Sequence, residues 1–453
     1  MTITSWTRRP VLSGRSSGAA VQRITEKIGQ LKMPCHARSV ISITARKALL
    51  QAEAVDQRGS SGVSPRLLEG LCVAWKDIID QEGEVTTLGS ALRSNVEPAT
   101  DDAPIVRKVE QAGAISLARS NLSELAFSGL GINPHFGTPA SALSQGIPLL
   151  PGGSSSGSAV LVAKGIADIG IGTDTSGSVR VPAALNGIFG FRPSTVRYCR
   201  EGVHALSETL DTVGVLANSV EKIIAVDSVV SDVRDVSALP GQPELLDVAG
   251  TLGPHWREEV LTPYDDALET ARRHGWKIRR FRLRAAEEIK SLLQTYGPLV
   301  AIEARRRYEA LATGPDALHL DPLVRRRIVE APVLGDEDYQ QYLSRRAELI
   351  GKVRREIGDA LIAHPTVPVL RLPFDRTRSG NATARLNADI LSATMIGSLL
   401  DLPGLAIPLT GSRGRIESSL LLSAASGCDS TLLRQGARLA AHLSNQLKTN
   451  DGE

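Results

Sequence analysis

Lys76 follows an apolar run, Leu71–Trp75, that has the composition of a buried β-strand. A lysine at the end of such a strand can be removed from water, and burial disfavours the charged form of its side chain. A neutral amine is a competent general base near neutral pH. Because most lysines are surface residues, an exposed side chain is the alternative interpretation. The neighbours Trp75 and Ile78 favour an apolar setting.

The second candidate is the glycine- and serine-rich segment Pro151–Ala159, PGGSSSGSA. A flexible linker would have this composition, but the apolar, helix-forming run Ser158–Lys164 follows directly. Free N–H groups at the start of a helix can bind a ligand, so the pattern favours a structured binding loop. A phosphate loop would end in Gly-Lys-Ser or Gly-Lys-Thr, which does not follow here. Residues 153–157, GSSSG, also fit the G-x-S-x-G pattern of α/β-hydrolases, which would make Ser155 the nucleophile.

The third candidate is the turn Thr173–Ser178, TDTSGS, which follows a short strand-like run. A turn of small residues points several backbone N–H groups in one direction, and such a nest can stabilise an oxyanion. Ser178 ends the turn, where its hydroxyl can attack a carbonyl held in the nest; a helix cap at Ser176 or Ser178 is the alternative. Asp174 and Arg180 flank the nest, and we expect them to pair and hold it rigid. Substrate binding by Arg180 is the other possibility.

Taken together, the three segments resemble the motifs of the amidase signature family, serine hydrolases of C–N bonds that use a Ser–Ser–Lys triad. The spacing of the lysine and the two serines agrees with that family. Further similar segments lie at 118–127, 133–139 and 210–214. The likeness is dense from about Leu67 to Glu221, thin through the helical region that follows, and weak again at residues 400–410.

The resemblance implies that Ser178 is the nucleophile, that Ser154 relays its proton from a cis peptide after Gly153, and that Lys76 is the base. A serine hydroxyl needs such a base within hydrogen-bond reach, directly or through one relay. The implied oxyanion hole consists of backbone N–H groups of Thr175, Ser176, Gly177 and Ser178. The implied supporting residues are Ser155, Asp174 and Arg180. No metal ion or organic cofactor is expected.

The composition limits the classes of protein that this chain can represent. It has 453 residues, of which 42% are hydrophobic and 22% charged, as in ordinary folded proteins and unlike disordered or fibrous ones. A formal net charge of +3 is too weak to indicate nucleic acid or an anionic membrane as a partner. The four cysteines form no CxxC pair, so we expect them to be reduced. The expected partner is a small amide, the expected location is the cytoplasm, and a homodimer is one candidate assembly.

We expect an α/β fold of the amidase-signature type, with a mixed twisted sheet, helices on both faces and a helical insertion. The predicted organisation is an N-terminal helical segment (1–60), an α/β core (61–230), the insertion (231–365) and a C-terminal part of the core (366–453). Within it, 21–56 is predicted to be helical, 57–64 a loop, and 366–370, 405–410 and 418–423 strands. The arginine clusters 305–307 and 325–327 are predicted to lie on solvated helix faces.

The predicted function is amide hydrolysis through a Ser178 acyl-enzyme. Alternatives are the glutaminase-like A subunit of a tRNA amidotransferase, an allophanate or ureido amide hydrolase, and a catalytically inactive scaffold. The α/β-hydrolase alternative needs an Asp–His pair, and no histidine lies in a recognisable motif. Phe127, Phe189 and Asn387–Met395 are expected to line an apolar acyl pocket that favours neutral amides over allophanate. Arg180 or Arg378 reaching that pocket would reverse this preference.

Overall fold

A computed structural model describes residues 18–231, 244–252, 256–377, 380–411 and 414–449, with the backbone alone for 445–449. Arg378, one of the two arginines considered for substrate binding, therefore lies outside the described residues, as do residues 1–17.

Eleven strands in the described part of the chain form one mixed sheet, in the order β1-β3-β2-β4-β6-β5-β10-β11-β9-β7-β8. The strands are β1 Val40–Ile43, β2 Cys72–Lys76, β3 Ile115–Ser120, β4 Ile169–Asp174, β5 Phe189–Arg192, β6 Thr212–Ala217, β7 Glu244–Asp247, β8 Lys277–Arg280, β9 Leu361–Pro365, β10 Gly404–Thr410 and β11 Ile416–Ser423. β2 runs parallel to both β3 and β4, whereas β6 is antiparallel to β4 and β5.

Fifteen α-helices in the same residues connect and cover these strands. They are α1 Ala19–Leu31, α2 Pro34–Ala37, α3 Ala45–Ser60, α4 Pro104–Gln111, α5 Ser156–Ala163, α6 Arg180–Asn186, α7 Val220–Val230, α8 Ala249–Leu252, α9 Glu258–Arg273, α10 Arg284–Tyr296, α11 Leu299–Thr313, α12 Pro322–Val329, α13 Asp336–Ile357, α14 Gly380–Leu399 and α15 Asp429–Thr449. The chain thus has the predicted α/β architecture.

Both faces of the sheet are buried, as the alternation of side chains along β2 shows. Val73 and Trp75 point into the larger core, which also contains apolar residues of α4 and α7. Cys72 and Ala74 point into a second core, formed with α1, α3 and α5. A strand between two parallel neighbours and covered on both faces is expected to be apolar throughout, and CVAW meets that expectation. The helices therefore cover both faces, as predicted.

Several predicted elements differ from the structure. The segment 21–56 is not one helix, because β1 lies between α2 and α3, and α3 continues to Ser60 through part of the predicted loop. The predicted strand 366–370 is irregular, and the strand β9 lies just before it. The segment 231–365 contributes β7, β8 and β9 to the sheet in addition to its helices.

The catalytic candidates lie at one edge of this sheet. Lys76 is the last residue of β2 and Asp174 the last of β4, and these two strands are parallel. The carboxyl ends of parallel strands meet at the same edge, which is where ligand sites of α/β proteins form. The turn after β4 therefore lies beside the end of β2.

Candidate active site

The amine of Lys76 lies in a fully buried pocket of hydroxyl and carbonyl groups. Its Nζ is 2.7 Å from Ser154 Oγ and 2.7 Å from Thr173 Oγ1, with Thr173 O at 3.4 Å. The side chain has 0% exposure, and no carboxylate of the described residues lies within ion-pair distance of it. The structure therefore places the predicted base against the predicted relay serine.

Burial lowers the pKa of Lys76 to about 7, although the charges of Asp211 and Asp174 oppose this shift by favouring the ammonium form. At neutral pH a substantial fraction of the molecules then carries a neutral amine at this position. A neutral amine can accept a proton from a hydroxyl that donates to it. Lys76 is thus a group that could act as a base near neutral pH.

Ser154 is held by a loop that packs tightly against the backbone. The Gly153–Ser154 peptide bond is cis, as the resemblance implied. A side chain at Gly153 would place its Cβ 2.5 Å from the backbone nitrogen of Gly131, so only glycine fits there. At Gly157 a Cβ would lie 2.3 Å from Ser39 O. The glycines of the predicted binding loop are therefore explained by close backbone approach and not by linker flexibility.

Ser155 does not have the surroundings of a nucleophile. It is fully buried at the start of α5, its hydroxyl donates to Thr173 O at 3.4 Å, and its N–H donates to Ser178 O at 3.2 Å. Its Oγ packs against Gly172, where a Cβ would approach within 2.4 Å. The residue ties the serine loop to the turn after β4, which fits the predicted supporting role.

Ser178 ends that turn and is 5% exposed. Among the described residues its hydroxyl makes no hydrogen bond, whereas Ser154 is bonded to Lys76. Catalytic hydrogen bonds are often long in the absence of substrate and tighten when it binds. The structure thus brings the three residues to one edge of the sheet and leaves the Ser178 hydroxyl available.

The turn after β4 presents backbone N–H groups without partners. Those of Thr175, Ser176 and Ser178 donate no hydrogen bond to any described residue. The N–H of Gly177, in contrast, donates to Asp174 Oδ1 at 2.8 Å. Gly177 was predicted to contribute to the oxyanion hole, but Asp174 lies beneath the turn and occupies its N–H. Three free donors therefore remain from the predicted set.

Asp174 and Arg180 form the predicted ion pair and hold this turn from below. Two hydrogen bonds join them, at 3.0 Å from Nε and 2.8 Å from Nη2, and both side chains have 0% exposure. Burial alone would raise the pKa of Asp174, but the charge and hydrogen bonds of Arg180 outweigh it and lower the pKa to about 2. Arg180 also donates to Thr394 O and Ser398 Oγ in α14. With its donors directed at the protein, Arg180 is a structural residue.

Two further residues of the site were not singled out from the sequence. Thr173 shares the Lys76 amine with Ser154. Asp211, just before β6, accepts a hydrogen bond from Thr175 Oγ1 at 2.5 Å and from the backbone N–H groups of Leu206 and Ser207. Asp211 thus helps to fix the position of the turn after β4. Asp211 lies in the segment 210–214, which is one of those that carry the family resemblance. That resemblance was the feature of the sequence from which a role for Asp211 in the site could have been predicted.

The predicted acyl-pocket residues separate into two groups. The prediction that Phe189 lines the acyl pocket is wrong, because Phe189 lies at the other end of the sheet. Phe189 on β5 is paired with Ala217 on β6, and Ala217 is also paired with Ile169 at the start of β4. Five residues along β4, about 17 Å, separate that end of the sheet from Asp174. The segment Asn387–Met395 belongs to α14, which reaches the turn after β4, since Thr394 Oγ1 donates to Ser176 O at 2.6 Å.

In the part of the chain that the structure describes, no group of three or more His, Cys, Asp or Glu side chains could hold a metal ion. No helix in those residues has both the length and the hydropathy to cross a membrane.

Comparison with known proteins agrees with this geometry. The Amidase family profile matches residues 19–433. Mandelamide hydrolase of Pseudomonas putida is 30% identical over 400 residues, covering 81% of this chain and 77% of that protein. The A subunit of glutamyl-tRNA(Gln) amidotransferase from Streptococcus pneumoniae is 30% identical over 421 residues, which is 83% of each chain.

Among solved structures, a crystal structure of an amidase superimposes with a TM-score of 0.82 at 27% identity, covering 95% of this chain and 97% of that one. The family match spans nearly the whole described chain, including the lysine, both serines and α14. The chain therefore belongs to the amidase family, and it is a hydrolase that acts on amide C–N bonds.

Proposed function

We propose that this amidase works through an ester intermediate on Ser178, with Ser154 as the proton relay and neutral Lys76 as the base. The observation that carries the proposal is the buried contact between Lys76 Nζ and Ser154 Oγ at 2.7 Å, in a pocket that lowers the pKa of Lys76 to about 7. Lys76 takes the proton of Ser154 as Ser154 takes that of Ser178. The Ser178 oxygen then attacks the amide carbon.

The oxyanion formed in this attack would be bound by the N–H groups of Thr175, Ser176 and Ser178. Donors that are fixed before the reaction stabilise the charge without reorganisation, and removal of one costs about 3 kcal/mol. The proton held by the Lys76–Ser154 pair passes to the leaving nitrogen, the C–N bond breaks, and ammonia or an amine departs. Water then attacks the Ser178 ester, with the same pair as base, and releases the carboxylic acid.

Release of ammonia from a panel of aliphatic, aromatic and ureido amides tests this proposal. We expect Ser178→Ala to abolish turnover with an unchanged circular dichroism spectrum, since the proposed ester forms on the hydroxyl that this change removes. Ser228→Ala, which removes an exposed hydroxyl on α7, is the control and should retain turnover. Turnover in Ser178→Ala comparable to that of the parent would overturn the assignment of the nucleophile.

A second candidate function is that of an amidotransferase A subunit, which the 30% identity to such a subunit favours as strongly as it favours a mandelamide-type hydrolase. A subunit that works within a complex should hydrolyse simple amides poorly when it is expressed alone. Rapid ammonia release by the purified chain on its own argues for the independent hydrolase. The predicted homodimer is a separate matter, which the mass of the purified protein in solution would settle.

A further inference from the structure

Glu303 lies within α11 and is only 4% exposed. The acidic residues of this helix look alike in the sequence, where they alternate with arginines as on a solvated face. Glu309 fits that pattern, because it is exposed and pairs with Arg305. Glu303 does not fit it, and a buried carboxylate requires hydrogen bonds or charges that compensate the loss of water.

Four hydrogen bonds from neutral donors surround the carboxylate of Glu303. Its Oε2 accepts from the hydroxyl of Ser207 and from the N–H of Thr209 at 3.1 Å. Its Oε1 accepts from the hydroxyl of Thr209 at 2.7 Å and from that of Tyr339, in α13, at 2.8 Å. Because hydrogen bonds to a carboxylate are strong and directional, these four contacts fix the positions of the donors relative to α11.

Three of the four bonds hold one loop, residues 205–211, against α11. The same helix also holds the beginning of the loop, since the hydroxyl of Tyr308 donates to Ala205 O at 2.7 Å. The fourth bond ties the carboxylate to α13. The position of the loop is therefore set by a helix far along the chain, in which Glu303 follows Ser207 by 96 residues.

Ser207 joins Glu303 to a second buried carboxylate, that of Asp211. Ser207 is fully buried, and its hydroxyl donates to Glu303 whereas its N–H donates to Asp211 Oδ2 at 3.1 Å. Its carbonyl oxygen accepts from Asp211 N at 3.2 Å. A continuous hydrogen-bond network of this kind can carry a displacement from one site to another.

The network ends at the turn after β4. There Asp211 Oδ1 accepts from the hydroxyl of Thr175 at 2.5 Å. The N–H of Thr175 is one of the three in this turn that donate to no described residue. Three hydrogen bonds thus lead from α11 to a residue that would bind the oxyanion. A donor of this kind is effective only if its position is fixed, and a displacement of about 1 Å in an active site can cost about 100-fold in rate.

We propose that Glu303 is a positioning residue of this amidase, which holds the turn after β4 in its reactive geometry from α11. It acts through Ser207, Asp211 and the hydroxyl of Thr175. This inference rests on the proposed function, because the position of the turn matters to the rate only if the turn binds the oxyanion.

The test compares two substitutions of Glu303 that have similar size. Glutamine can keep all four contacts, because its amide oxygen accepts from Ser207 and from the N–H of Thr209 while its amide nitrogen donates to hydroxyl oxygens. Leucine keeps none of them. We expect Glu303→Leu to lower kcat at least 10-fold with KM within about 3-fold, as for loss of an interaction made in the transition state, and Glu303→Gln to stay within about 3-fold of the parent. Glu309→Leu, on the same helix, is the matched control and should keep kcat.

A double-mutant cycle distinguishes this role from general support of the fold. Thr175→Val removes the hydroxyl that Asp211 holds, and it keeps the backbone N–H and the branched shape of the side chain. If Glu303 acts through that hydroxyl, the second substitution has little left to remove. We expect Glu303→Leu and Thr175→Val each to lower kcat about 10-fold, and the double variant about 10- to 20-fold. A loss of about 100-fold in the double variant would show independent effects and overturn the proposal.

Ser207→Ala keeps the proposal testable if Glu303→Leu does not fold, because it removes a single hydroxyl from the middle of the network. It should lower kcat about 3- to 10-fold with little change in KM. An unchanged kcat in folded Glu303→Leu or in Ser207→Ala, or a change confined to KM, would overturn the positioning role. If the parent hydrolyses amides through Ser178 and these variants match it, the positioning role is wrong while the proposed function stands. If Ser178→Ala retains turnover, the proposed function itself fails.

Discussion

In the proposed mechanism the pH dependence of hydrolysis follows from the burial of Lys76, whose amine must be neutral to accept a proton. In water a lysine with a pKa of about 10.4 would be neutral in only about 4 of every 10,000 molecules at pH 7. With a pKa of about 7, half of the molecules carry the neutral amine at that pH. This increases the reactive fraction about 1,000-fold, and the shift corresponds to about 5 kcal/mol in favour of the neutral form.

The assay is ammonia release from a neutral amide, which does not titrate between pH 5 and 10. We expect kcat/KM to rise about 10-fold per pH unit below pH 7 and to level off above about pH 8, so that the value at pH 5 is about 1% of the plateau. The apparent pKa belongs to the coupled lysine and serines. Lys76→Met should remove this rise and most of the rate, and the exposed Lys32→Met is the matched control.

Two results would refute this reasoning. A flat profile between pH 5 and 8 would show that no group with a pKa near 7 must lose a proton. Residual activity of Lys76→Met that still rises with the same apparent pKa would show that another group is the base. The buried carboxyl of Asp211, whose pKa burial raises, is the other titrating group nearby, and its own variant separates the two cases.

Three further predictions concern neighbouring groups. Asp211→Asn removes a negative charge that raises the pKa of Lys76, so the rise in kcat/KM should move to lower pH, and a shift to higher pH would contradict this. The same change removes the hydrogen-bond acceptor of Thr175 and should lower the plateau of kcat/KM about 10-fold. Between about pH 7 and 10 the unfolded chain binds a proton at Lys76 that the folded protein does not. The free energy of unfolding of the parent should therefore rise by about 1.4 kcal/mol per pH unit relative to that of Lys76→Met, as measured by urea unfolding. Parallel curves of unfolding free energy against pH for the two proteins would refute the low pKa. Gly177→Ala should reduce kcat at least 10-fold, because a Cβ at this position would lie 2.3 Å from Thr394 Oγ1 and displace the proposed oxyanion turn. An unchanged kcat would show that the position of this turn is not required for catalysis.

The strands β2 and β3 could be predicted because their sequences are unambiguous. β2 and β3 are short apolar runs, and each is followed by polar residues that the sheet brings to a shared edge. The glycines and serines around 151–159 and 173–178 likewise show local constraints in the sequence. These segments also carry the family resemblance, so local pattern and family agree there.

Other elements depend on packing that the sequence does not display. β1 has only four residues and lies between helices whose apolar spacing extends through it, so the whole segment resembles one helix. β8, with the sequence KIRR, is the last strand of the sheet and largely exposed, and nothing in its composition is typical of a strand. Such edge strands are determined by the neighbour with which they pair.

The same limit applies to the site. Asp211 acquires its contact from a residue distant in sequence, Thr175, whose hydroxyl donates to it. Three consecutive arginines at 325–327 look equivalent in the sequence, whereas in the structure Arg326 is exposed and Arg325 and Arg327 are half-buried, so the prediction of a solvated helix face holds fully only for Arg326. Phe189 was misplaced because the direction of β5 relative to β4 is set by the antiparallel β6 between them.

The most direct test of the central claim is the site of covalent labelling. A fluorophosphonate reacts with an activated serine, and peptide mass spectrometry identifies the residue that carries it. We predict that Ser178 is labelled, that labelling slows as the pH falls below 7, and that Lys76→Met abolishes it. Labelling at Ser155 or Ser154 in place of Ser178, or labelling that is unaffected by loss of Lys76, would contradict the account.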